Sequence, residues 1–104
     1  MKNLFTESPD TGEGETLERL AQGREVRIER IVSHGEASEP DFWYDQDEDE
    51  WVAVLEGCAT LRFESPDETM SLNRGDWVHV PAHRRHRVES TTSPTVWLAV
   101  FFRD

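Results

Sequence analysis

Glu50 is the residue of this chain best placed to do chemistry. It opens the run Glu50-Trp51-Val52-Ala53-Val54-Leu55, which ends at Gly57 and follows an acidic stretch, Asp45 to Asp49. Side chains two apart on an extended chain share a face. Glu50 therefore shares one with Val52 and Val54, and Gln46 and Tyr44 continue that line upstream. If the valines face a core, Glu50 stands at its rim, where a carboxylate needs a proton, a partner or a metal. Asp45, Asp47 and Asp49 take the opposite parity and read as solvent-facing acids. A second chemically capable stretch runs from Gly75 to His86 and holds His79, His83 and His86. Imidazoles so close in sequence serve as metal ligands, acid–base groups or polar surface. His79 has the parity of Trp77, opposite to Val78 and Val80, and so faces outward if those valines face in. His83 sits in a loop with Arg84 and Arg85. His34, just before Gly35, lies in a loop that could fold over a pocket mouth. Trp43 is placed to stack on a ligand there. Trp43, His34 and His83 are thus candidate pocket residues.

These side chains need a scaffold, and local pattern predicts one made of strands. Val26–Val32, Glu50–Leu55, Ala59–Phe63, Met70–Leu72, Trp77–Val80, His86–Ser90 and Thr95–Phe102 read as strands. Turn signals separate them at Glu56-Gly57, Ser65-Pro66-Asp67-Glu68, Asn73-Arg74-Gly75-Asp76 and Thr91-Thr92-Ser93-Pro94. Residues 3–6 read as a short edge strand and Ser8-Pro9-Asp10-Thr11-Gly12 as a turn. Glu15–Gln22 reads as one short helix, with Leu17 and Leu20 three apart and Gly23 as its stop. Many short strands with regular turns predict an all-β sandwich or barrel. Both faces of Trp51–Leu55 and of Val96–Phe102 are apolar, so the outer face should be covered too, by a second sheet or by another subunit, with a homodimer the preferred reading.

The 104 residues suit one domain. Net charge −11 argues against nucleic-acid or anionic-membrane partners. The single Cys58 excludes an internal disulfide and suits a reducing cytoplasm. No apolar run has the length of a signal core or a membrane span. A soluble, cytoplasmic protein is expected.

The two stretches resemble the two motifs of the cupin superfamily. The first motif reads Gly, five residues, His-x-His, three or four residues, Glu, six residues, Gly; Glu50 and Gly57 match its second half. The second reads Gly, five residues, Pro-x-Gly, two residues, His, three residues, Asn; Gly75, Pro81 and His86 match in register. The resemblance implies a double-stranded β-helix, or jelly-roll barrel, over residues 26–102, preceded by an N-terminal strand and helix segment over 1–25. It also implies an interior site for a small molecule, a divalent metal (Fe, Mn, Ni or Zn) or both, with no organic cofactor, and a homodimer. The motif histidines fall on Tyr44 and Gln46, or on Trp43 and Asp45, and the second motif's inner Gly is His83. The implied metal ligands are therefore Glu50 and His86, supported by Gln46 and Tyr44. Two functions follow: a metal-dependent small-molecule enzyme, or a metal-free binding or sensor module. Cupin thiol dioxygenases carry a cysteine near Cys58, but here the motif glycine is retained and Cys58 reads as a small buried residue.

Overall fold

The computed structural model describes residues 2–5 and 15–103. Eight strands carry the fold: β1 (Thr16–Gln22), β2 (Val26–Ser33), β3 (Asp49–Glu56), β4 (Ala59–Phe63), β5 (Glu68–Leu72), β6 (Trp77–Val80), β7 (His86–Thr91) and β8 (Thr95–Phe102). From β2 onward they lie within two residues of where alternation and turn chemistry predict them. All pairings are antiparallel. A five-stranded sheet has the order β1-β2-β8-β3-β6, and a three-stranded sheet the order β5-β4-β7. Between them lies a core that includes Val52, Val54, Leu61, Phe63, Val80 and Trp97. The all-β architecture is as expected. The closed barrel is not: among the described strands the ladder stops at the edges β1 and β6, and at β5 and β7, leaving two facing open sheets.

The predicted helix over 15–22 is instead strand β1. Leu17 and Leu20 fit a helical stripe by spacing, but the segment pairs with β2 from Thr16↔Val32 to Gln22↔Arg27, with an irregularity between Arg19 and Ala21. Backbone pairing to a sheet edge outweighs the few tenths of a kcal/mol per residue by which propensities differ. Residues 3–5 form a turn rather than a strand. Phe5 N–H donates back to Asn3 Oδ1 at 2.8 Å, and the Arg30 guanidinium donates to the carbonyls of Asn3 and Leu4. The Ser8–Gly12 turn and residue 6 lie outside the described residues.

Register decides which side chains meet. Arg27, Phe101, Glu50 and Val80 line up in one row across β2, β8, β3 and β6. Directly opposed residues share a face, and this row faces the other sheet at the end where β2 and β3 begin. Deeper on the same face lie Ile31, Trp97 and Val54. The opposite face carries Ile28, Val100, Trp51 and His79 in one row and Leu98, Ala53 and Trp77 in the next. Trp77 is 60% exposed there.

Gly57 closes the β3–β4 turn at φ 82°, where a Cβ would run into Thr92 and the Pro94 carbonyl. Left-handed backbone and close approach both require glycine. Cys58, expected to be buried, is exposed. It sits at the hairpin tip, where its N–H donates to Thr92 Oγ1 at 3.0 Å.

Candidate functional site

A cavity of about 410 Å3 opens between the sheets, and Tyr44, Gln46, Glu50 and His86 all line it. The floor is apolar, with Val52, Leu61, Val80, Val88, Trp97 and Phe101 among its walls. Apolar walls with a few convergent polar groups characterise small-molecule sites of this size.

Two distant segments are zipped together to build the polar end. Tyr44 N–H donates to the His86 carbonyl at 2.7 Å, His86 N–H returns to the Tyr44 carbonyl at 3.1 Å, and His83 N–H donates to the Gln46 carbonyl at 2.7 Å. His83 has φ 65°, the left-handed conformation that glycine usually supplies and histidine adopts more readily than most residues. The backbone bend of the second motif thus survives its loss of glycine. Tyr44 and His86 rings stack with centroids 5.4 Å apart.

His86 is buried. Its Nδ1 lies 2.9 Å from the Arg84 carbonyl. A carbonyl only accepts, so Nδ1 carries the proton and Nε2 points into the cavity. Nε2 stands 3.6 Å from Glu50 Oε1, too far for a direct hydrogen bond, so the two present adjacent acceptors to hydrogen-bond donors of a ligand. The Gln46 amide donates to the same Glu50 oxygen at 3.2 Å. Burial, then the Glu15 and Glu50 carboxylates, push the Tyr44 phenol above its ordinary value.

The donor set does not fit a tightly resident divalent metal. Among the described residues no three His, Cys, Asp or Glu side chains converge, and metal centres with open positions keep about three protein ligands. Glu50 and His86 supply two. Gln46 turns its amide nitrogen toward Glu50 and must rotate to offer its oxygen, and burial raises the Tyr44 pKa.

Trp43, His34 and His83 are not among the residues lining this cavity. Trp43 lies under the guanidinium groups of Arg62, Arg85 and Arg87, 5.6–5.9 Å from its ring. His83 is largely exposed and meets Asp45 at 2.8 Å. The backbone N–H of His34 donates to Glu36 at 2.6 Å. Asp49, read as a solvent acid, instead ties two elements together. It bonds His79 Nε2 at 2.8 Å and accepts from Ala82 N–H at 3.0 Å.

Sequence reasoning missed Arg19, Arg27 and Glu29 in the cavity wall. Glu29 is 3% exposed and meets Arg27 at 3.1 Å and Arg19 at 3.5 Å. The signal was present in β2, where Arg27, Glu29 and Ile31 share one parity.

A double-sheet jelly roll with its polar residues at one end of an inter-sheet cavity defines a class of small-molecule-binding folds. The chain belongs to the cupin family: the cupin domain model (Cupin_2) matches residues 28–101. It is similar to a Ralstonia eutropha protein provisionally named a mannose-6-phosphate isomerase, at 44% identity and TM-score 0.93, covering 100% of this chain and 98% of that one. A cupin superfamily protein from Desulfitobacterium hafniense shares the fold at 23% identity and TM-score 0.76, covering 95% and 84%. An RmlC-like cupin from Shewanella frigidimarina does so at 18% and TM-score 0.73, covering 100% and 89%. No functionally curated protein matches the chain.

Proposed function

We propose that this cupin binds a small organic molecule between its sheets and does so without a tightly resident metal. The observation that carries this reading is the facing of Glu50 Oε1 and His86 Nε2 across 3.6 Å at the polar end of an apolar cavity. A ligand hydroxyl can donate to the carboxylate while a neighbouring donor on the ligand meets the lone pair of Nε2, the ring being fixed through Arg84. Tyr44 and Gln46 supply further polar contacts, and Trp97 and Phe101 give an apolar bed. With Glu50 as acceptor and His86 able to carry a second proton, the pair can also move a proton within a bound ligand. That is the chemistry an isomerase such as the named relative requires.

Metal titration of untagged protein, read by calorimetry and by elemental analysis, tests the metal-free reading. The expected result is no stoichiometric metal and ligand binding that survives chelator. Stoichiometric metal lost in both Glu50→Ala and His86→Ala would overturn it in favour of a metal-dependent enzyme.

We also propose that a second copy covers the outer face of the five-stranded sheet. Ile28, Trp51, Trp77, Leu98, Val100 and Phe102 make it apolar. Its charges pair with one another, His79 with Asp49 and Arg30 with Glu18. In a chain of net charge −11 such a face favours self-association by apolar burial. The exposed free thiol of Cys58 suits a cytoplasmic location.

A further inference from the structure

We propose that Arg27 anchors an anionic group, a carboxylate or phosphate ester, on the ligand of this pocket, and that Glu48 is the internal acid competing for it. The proposal rests on the pocket reading above and adds the ligand's charge.

The pairing of Arg19 and Arg27 is the first argument. A single Glu29 oxygen serves two guanidiniums, Arg27 Nε at 3.1 Å and Arg19 Nη2 at 3.5 Å. Glu29 is 3% exposed, so one buried carboxylate is shared by two guanidiniums, while the cavity's other acids, Glu15 and Glu50, line it elsewhere. Glu48 also bonds Arg27 Nη1. Glu48 does not belong to the strand wall. It lies in the loop before β3 and lines a neighbouring polar cavity of about 430 Å3, of which Arg19 and Arg27 also form part. The two arginines therefore stand between the cavities, and Arg27 is held from one side by an acid that precedes β3.

Position is the second argument. Arg27 lines the same cavity as Glu50 and His86. It lies in their row of the sheet, separated from Glu50 by Phe101 alone, which is two strand spacings or roughly 10 Å. Its guanidinium lies over the Phe101 ring, 4.1 Å from the centroid, so its plane is preset and little side-chain freedom remains to be lost on binding. A short ligand can thus span this row of the sheet, with an anion at Arg27 and a hydroxyl donating to Glu50 or His86. Guanidinium groups take carboxylate and phosphate in charge-assisted hydrogen bonds. The neutral apolar floor orients the ligand body but not its ends, so Arg27 sets the orientation.

Binding calorimetry with hexanol, hexanoate, hexyl phosphate and inorganic phosphate tests this on the wild-type, Glu48→Gln, Arg27→Gln and Arg27→Gln/Glu29→Gln proteins. The double variant removes the buried carboxylate that Arg27→Gln alone would leave short of a partner. In the wild type an anionic probe should bind about tenfold tighter than hexanol, and whichever anion does so names the group. Glu48→Gln should tighten that anion by about tenfold more, and the double variant should bind anion and alcohol alike. Hexanol and both anions binding equally in the wild type would overturn the anchor and leave the pocket standing. An anion preference that persists in the double variant would overturn it too. Inorganic phosphate bound by Glu48→Gln and lost in the double variant would support the anchor even if no probe with an apolar tail bound, in which case the pocket reading alone would fall.

Discussion

Tyr44 and His86 are joined three ways: by backbone hydrogen bonds in both directions, at 2.7 and 3.1 Å, and by stacked rings 5.4 Å apart. Tyr44 precedes β3 of the five-stranded sheet and His86 opens β7 of the other sheet. Their pairing brings the two sequence motifs together.

Tyr44 is the chain's only tyrosine, so phenolate absorbance reports on it alone. Burial, then Glu15 and Glu50, raise its pKa above 10.0. The folded protein therefore holds the phenol proton at a pH where the unfolded chain has released it. The associated stability is complete below the unfolded value and is lost as pH rises through the folded one. Spectrophotometric titration should show a midpoint above 10.0, falling toward that value in Glu15→Gln and on denaturation. A midpoint unchanged by unfolding would refute the buried setting of the ring.

Glu50 and His86 should separate stability from binding. Glu50 carries a half-buried charge that shares its cavity with Glu15 and whose bonded donor is the neutral Gln46 amide. Glu50→Gln is expected to leave stability unchanged or raise it by up to about 1 kcal/mol, while weakening ligand binding at least tenfold. His86→Ala leaves the Arg84 carbonyl unpaired and should lose about 1–3 kcal/mol. Urea unfolding beside calorimetry measures both effects. Loss of folding in Glu50→Gln would show the residue to be structural.

Gly57→Ala tests the close approach at the β3–β4 turn. A methyl group would meet Thr92 and Pro94 in a left-handed conformation, at an expected loss of about 1–3 kcal/mol. Gly35 also has positive φ but has nothing within 4 Å, so Gly35→Ala should cost less. Equal urea midpoints for the two variants would contradict the crowding at Gly57.

Trp77→Lys should convert a dimer to monomer in sedimentation velocity. Trp77 is 60% exposed and its ring lies 5.7 Å from Trp51, so the change puts a charge in the middle of the apolar face with little loss to the core. A wild-type protein that sediments as a monomer at all accessible concentrations would sink the dimer.

Much of the strand framework was legible in the chain, because alternation and turn chemistry are local. Ala59–Phe63, Trp77–Val80 and Thr95–Phe102 occur with the ends that pattern predicts. Tyr44, Gln46 and Glu50, which share a parity in the chain, all line one cavity. β1 was misread because Leu17 and Leu20 satisfy a helical spacing, and only the presence of β2 alongside turns the segment into a strand.

The sequence alone determined an all-β cupin with Glu50 and His86 as its retained motif residues, since spacing and side-chain type are written along the chain. Tertiary structure decided the rest. It set Nε2 of His86 toward Glu50 through the Arg84 carbonyl. It turned Trp43 and His83 away from the cavity lining and placed Arg27 in the same row as Glu50. Those outcomes depend on register between strands dozens of residues apart, and a one-residue slip in register would send every side chain of a strand to the other face.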